Sequence, residues 1–152
     1  MATQNFQIVR IATDETYILR TTVLRIGTPT SDPKYPEDSK QGTVHLGIFD
    51  EHKILIATST WVINPWQQEP TATAIQLRGM AVALSHQKSG LGKQLLDAGI
   101  GHAKTIHAKY LWAKARDSAL PFYLSNNFVS VGDGFTEGIT QMPHRLVVLK
   151  LS

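Results

Sequence analysis

Residues 74–115 constrain this chain more than any other stretch. An apolar run, AIQLRGMAV (74–82), leads through HQKSGLGK (86–93) into a segment with Leu91, Leu95, Ala98 and Ile106 at helical spacing, and YLWAKA (110–115) follows. Strand, turn, helix, strand is a β-α-β crossover. A helix of roughly five turns is expected from Gly90 onward, with Gly99 and Gly101 inside it; each costs about 1 kcal/mol relative to alanine, and close packing on a sheet would explain them.

The rest of the chain supplies more strands. FQIVRI (6–11) alternates apolar and polar residues, and Thr13 can cap a helix with Asp14 and Glu15 in its first turn, running to Gly27. Pro29, Pro33 and Pro36 mark a long loop, with room for a short helix, and loops of this length in a compact domain are often functional. TVHLGIFD and KILIATSTWV around DEHK read as a hairpin. SALPFYLSN reads as a short helix, and FVSV and RLVVLKL (145–151) as the last strands. A hairpin combined with a crossover predicts a mixed sheet with helices on its faces, an α+β arrangement. At 152 residues and 42% hydrophobic content, one domain over residues 1–152 is expected.

Composition narrows the function. No stretch approaches membrane-spanning length, and MATQNFQIVRIATDE lacks the pattern of a secretory leader, so a soluble, cytoplasmic protein is expected. With no cysteine there is no disulfide, thiolate metal site or cysteine nucleophile. His102 and His107 are five apart and do not share a helix face as a metal pair would, so no metal is expected. Between His86 and Arg116, five lysines and Arg116 stand against Asp97 alone, whereas residues 31–51 are acidic. The basic half suits a phosphorylated ligand; without interleaved aromatics, nucleic acid is not expected.

The glycine turn is the anchor for chemistry. A strand entering a helix through Gln-Lys-Ser-Gly-Leu-Gly presents unpaired N–H groups at the positive end of the helix, and bare glycines let a phosphate approach. Alternatively, Ser89 caps the helix and the glycines merely pack. A dinucleotide fingerprint would need glycine where Leu95 stands, and a P-loop would need glycine at Gln87 and Ser or Thr at Gln94.

The spacing that fits is Q/R-x-x-G-x-G/A, filled by Gln87, Gly90 and Gly92. Here the chain resembles the GNAT superfamily of acetyl-coenzyme A-dependent N-acetyltransferases. The resemblance implies a central mixed, mostly antiparallel twisted sheet of six to seven strands with helices on both faces. It assigns the coenzyme A pyrophosphate to Gln87, Lys88, Ser89, Gly90, Leu91, Gly92 and Lys93. It places the pantetheine arm along Met80, Ala81 and Val82, beyond a bulge that Gly79 marks within its strand. ALPFY followed by Asn127 and Phe128 resembles the family's A-x-x-[LF]-Y-x-x-x-G-F pattern, which makes Tyr123 the general acid; its ordinary pKa near 10 suits a proton donor. Asn127 stands where glycine is usual, and Arg116 where many members have asparagine, so that Arg116 is available to meet a phosphate.

The activity implied is transfer of an acetyl group from acetyl-coenzyme A to a primary amine by direct attack, the alternative being a non-catalytic acyl-coenzyme A sensor. His144 is the preferred base or acceptor-pocket residue, with Glu69 and His86 as other candidates. The acceptor pocket is expected among the first helix, the acidic loop and residues 137–144. The acidic loop hints at a cationic amine, and homodimers occur in the family.

Overall fold

The computed structural model describes residues 6–151. Met1–Asn5, part of the stretch read for a leader, lie outside the described residues. Seven strands form one sheet in the order β1-β2-β3-β4-β5-β7-β6. They are β1 (Ile8–Arg10), β2 (Val44–Phe49), β3 (Leu55–Ile63), β4 (Ala74–Val82), β5 (Tyr110–Arg116), β6 (Val129–Thr136) and β7 (Pro143–Lys150). Every pairing is antiparallel except β4 with β5, which the crossover helix makes parallel. The mixed, mostly antiparallel sheet expected from the sequence is therefore present.

The first helical segment departs from a simple helix. A 3-10 turn at Thr13–Thr16 passes into α1 (Tyr17–Leu19) and then a π-helical stretch at Arg20–Leu24. Thr13 does not cap it: Ala12 holds the cap position and its N–H donates to Glu15 Oε1 at 2.8 Å, while the Thr13 hydroxyl faces His45 Nε2 at 3.0 Å. The prolines of the long loop admit one 3-10 turn, Pro36–Ser39.

The crossover helix, α2 (Leu91–Thr105), packs Leu91, Leu95, Leu96 and Ala103 into the main core with Ile48, Ile56, Trp61 and Ile75. A Cβ on Gly99 would lie 2.0 Å from the Trp61 ring, so the helix sits on the sheet only because that side chain is missing. Gly101 has nothing within 4 Å, and packing does not explain it. Trp61 faces α2, and its neighbour Thr60 faces the other way, where its hydroxyl accepts from Arg20 Nη2 at 2.8 Å. The two helical segments thus cover opposite faces.

Two features of the sheet create the site. Thr58 pairs with Ala81 but Thr60 with Arg78, so Gly79 and Met80 together oppose Ser59 in a bulge, with Gly79 at φ +59°. The parallel pairing of β4 with β5 ends at Gln76 and Trp112, although both strands continue. Beyond that point β5 pairs only with β7, out to Arg116 opposite His144. The sheet therefore opens as a wedge.

Candidate active site

The wedge contains a cavity of about 150 Å³. Leu77–Met80 of β4, Lys114–Arg116 of β5, Leu24 and Arg25 at the end of the π-helical stretch, Tyr35, and Glu137, Ile139, Thr140 and His144 around the β6–β7 turn supply its walls. Tyr123 reaches it from α3 (Leu120–Ser125), so Tyr123 and His144, assigned far apart in sequence, line one cavity.

Tyr123 is 8% exposed and packs edge-on against Phe122 and Phe128, with ring centroids 5.4 and 5.2 Å away. Its hydroxyl has no hydrogen-bond partner among the described residues. Burial pushes the phenol's pKa above its ordinary value, so the side chain stays protonated where a donor is needed. Asn127, at φ +71°, closes the helix in the left-handed conformation that glycine or asparagine tolerates. That cap lets Phe128 N–H bond back to Tyr123 O at 3.1 Å, anchoring the helical turn that presents the tyrosine.

His144 is 5% exposed. Its Nδ1 lies 2.9 Å from Met142 O, and a carbonyl can only accept, so Nδ1 carries a proton and the lone pair of the neutral tautomer would sit on Nε2. The other candidate bases lie elsewhere. Glu69 is held by Lys109 at 2.6 Å and by Tyr110, and the His86 ring bonds to Ser85 at 2.9 Å; neither residue lines the cavity. Glu137 does line it, but Ile139 N–H and Thr140 N–H occupy its carboxylate at 3.0 and 2.8 Å. Burial would raise its pKa, yet those donors and His144 hold it below the ordinary value.

The glycine turn follows β4. Gln87 Nε2 donates to Val82 O at 3.1 Å, tying the turn to the strand, and Lys88 and Gly90 take φ values of +62° and +87°. Ser89 does not cap α2: its hydroxyl donates back to His86 O, and Gly90 stands at the cap with no side-chain bond to the helix. The first-turn N–H groups of α2 are left for another partner. A Cβ on Gly92 would make only ordinary contact, 3.5 Å from Phe122 and 3.9 Å from Met80, so the protein itself does not demand glycine there. Lys93 is drawn toward Asp97 at 3.2 Å, leaving Lys88 as the less committed cation of the turn.

Several of the charged groups have partners within the fold. Arg116 does not reach toward the turn; its Nη2 donates to Leu24 O across the wedge. Two carboxylates of the acidic loop are already paired, Asp38 with Arg20 at 2.8 Å and Glu37 with Arg78 at 2.9 Å, while Asp32 is exposed. Arg20, Arg25 and Arg78 all surround the Tyr35 ring, 4.5, 5.4 and 4.2 Å from its centre. Arg25 was missed because a basic residue at the end of a helix reads as dipole compensation.

The sequence profile of the acetyltransferase (GNAT) domain matches residues 66–148, more than half of the chain. The chain belongs to the GNAT acetyltransferase family. A GNAT relative, the uncharacterized N-acetyltransferase YitI of Bacillus subtilis (strain 168), is 28% identical over 130 residues, 85% of this chain and 86% of YitI. Solved structures share the fold. FeeM, an N-acyl amino acid synthase from uncultured soil microbes, superposes with a TM-score of 0.83 at 12% identity, over 97% of this chain and 90% of FeeM. An acyl-CoA N-acyltransferase from Pseudomonas aeruginosa gives 0.75 at 18% identity, over 95% and 99%. GNAT proteins use an acyl-coenzyme A donor, and the uncapped turn and open wedge fit one. Among the described residues no cluster able to hold a metal occurs, and no helix is long and apolar enough to cross a membrane.

Proposed function

We propose that this GNAT protein transfers an acetyl group from acetyl-coenzyme A to a primary amine within a ternary complex. The observation that carries the reading is one cavity lined by both Tyr123, whose hydroxyl has no partner among the described residues, and His144, with Met80 of its wall lying beside Gly92 of the uncapped turn.

Bound to the turn, the donor supplies an activated thioester. The backbone from Lys88 to Lys93 binds its pyrophosphate, and the free flank of β4 at Met80, Ala81 and Val82 orients its arm as an added strand would. N–H groups of that flank stabilise negative charge on the thioester oxygen as the amine attacks. His144 Nε2 takes the proton that the amine loses, directly or through one water, because its lone pair is free while Nδ1 is anchored. Tyr123 gives its proton to the departing sulfur, a role its burial favours. Holding both reactants in the wedge supplies the orientation.

Thiol release from acetyl-coenzyme A, measured with a panel of amines, tests this reading. Amine-dependent release is expected. Tight donor binding without release, and no effect of Tyr123→Phe, would establish the sensor reading instead.

A further inference from the structure

The charge of the cavity points to one half of its ligand. Four cationic side chains, Arg25, Arg78, Lys114 and Arg116, line it against the single carboxylate of Glu137. Arg78 is compensated by Glu37, and Lys114 is exposed. Arg25 and Arg116 are different. Arg25 is 6% exposed; its Nε donates to Asp32 O at 2.8 Å, and its Nη2 is buried with no partner. Arg116 bonds only to Leu24 O. Neither has a carboxylate within ion-pair distance among the described residues. Burial holds Arg116 below its ordinary pKa and the like charge of Arg25 adds to this, although Tyr35 and Glu137 oppose it. Two guanidiniums without an anion, one of them with an orphaned donor, are costly unless something else pairs with them.

We propose that the acceptor amine carries a carboxylate, as an amino acid does, and that Arg25 and Arg116 hold this carboxylate while the amine faces His144 and Tyr123. The proposal rests on the acetyltransfer reading above and adds the acceptor's chemical class. A guanidinium presents paired donors to both carboxylate oxygens, which a hydroxyl or amide of similar size does not match. Arg25 lies against the Tyr35 ring at the end of the first helical segment, and no residue of the turn at 86–93 lines the cavity, which places the anion on the acceptor rather than on the donor.

Matched acceptors test it: free amino acids against the methyl esters and amides of the same compounds, each with acetyl-coenzyme A and with succinyl-coenzyme A. The free acids should be preferred about tenfold to a hundredfold in kcat/KM, the range of a charge-assisted pair. This would run against the supply of neutral amine, since the less basic amines of esters and amides are more largely unprotonated near neutral pH. Arg25→Gln and Arg116→Gln should bring that ratio toward one, and Arg25→Lys should restore part of it. Equal or better use of esters and amides overturns the proposal. So does faster transfer of the succinyl group to neutral amines, which would put the carboxylate on the donor. If no amine supports thiol release, acetyltransfer itself fails. The carboxylate site is then judged by melting temperature: free amino acids should raise it in the wild type and not in Arg25→Gln, and an absence of any rise rejects the site.

Discussion

Tyr123 shows how packing sets the properties of one group. Two aromatic rings pack on a phenol that no hydrogen bond compensates, so burial raises its pKa and preserves its proton. A general acid with an ordinary tyrosine pKa would begin to fail near pH 10. Here kcat for acetyltransfer should show no falling limb from this residue up to that pH. Because the hydroxyl has no partner, Tyr123→Phe should leave the melting temperature unchanged and the KM for the donor nearly so, while kcat falls about a hundredfold. An undiminished kcat would remove Tyr123 from the mechanism. The same residue scale explains Asn127: the sequence departs there from the family's glycine, yet the observed φ of +71° is a conformation that asparagine tolerates best after glycine.

At the scale of the element, α2 carries three glycines with three different reasons, and sequence alone treats them alike. Gly99 leaves space for Trp61, Gly101 faces open solvent, and Gly92 leaves the end of the helix open. Gly99→Ala should therefore destabilise by about 1–3 kcal/mol through overpacking, whereas Gly101→Ala should stabilise by about 1 kcal/mol through helix propensity. Gly92→Ala should leave stability nearly unchanged and raise the KM for the donor, because the added methyl meets no protein atom closely but would stand in the turn proposed to bind the donor's pyrophosphate. Urea unfolding separates the first two, and donor titration reads the third. Equal effects at positions 99 and 101 would contradict the packing account. Strand β4 was the most legible element: its bounds, Ala74–Val82, and the bulge at Gly79 follow from an apolar run with one glycine inside it. The helix at 13–24 was less so, because its π-helical stretch answers to tertiary partners of Arg20 and not to local propensity.

Across the whole molecule, the far side of the sheet is held by a polar core. Arg20 is fully buried and bonds to Asp38, Thr60 and Pro33 O, and His45 lies 2.8 Å from the same Thr60 hydroxyl. Burial lowers the His45 pKa despite the attraction of Asp38. Burial would raise that of Asp38, but Arg20 and the Tyr35 N–H hold it below its ordinary value. Both groups thus bind protons more weakly folded than unfolded, so both stabilise the fold at neutral pH and cease to as pH falls. Stability should begin to decline below the ordinary histidine value of 6.5 and decline further through the carboxylate range near 3.8. His45→Gln should flatten the first part of that decline in melting curves recorded from pH 7.5 to 5. Constant stability of the wild type over that range would contradict the linkage.

Periodicity and glycine placement were enough to read the element order and the turn at 86–93, because each depends on neighbours in the chain; that Tyr123 and His144 line one cavity was decided by the fold. The charge of the cavity in the wedge was not readable. Two of the three carboxylates of the long loop looked available for a cation until folding brought Asp38 to Arg20 and Glu37 to Arg78, leaving Asp32 exposed and Arg25 and Arg116 without a carboxylate partner. Ion pairing depends on distance through space, and residues 18 to 41 positions apart meet only when the sheet and its covering helix have assembled.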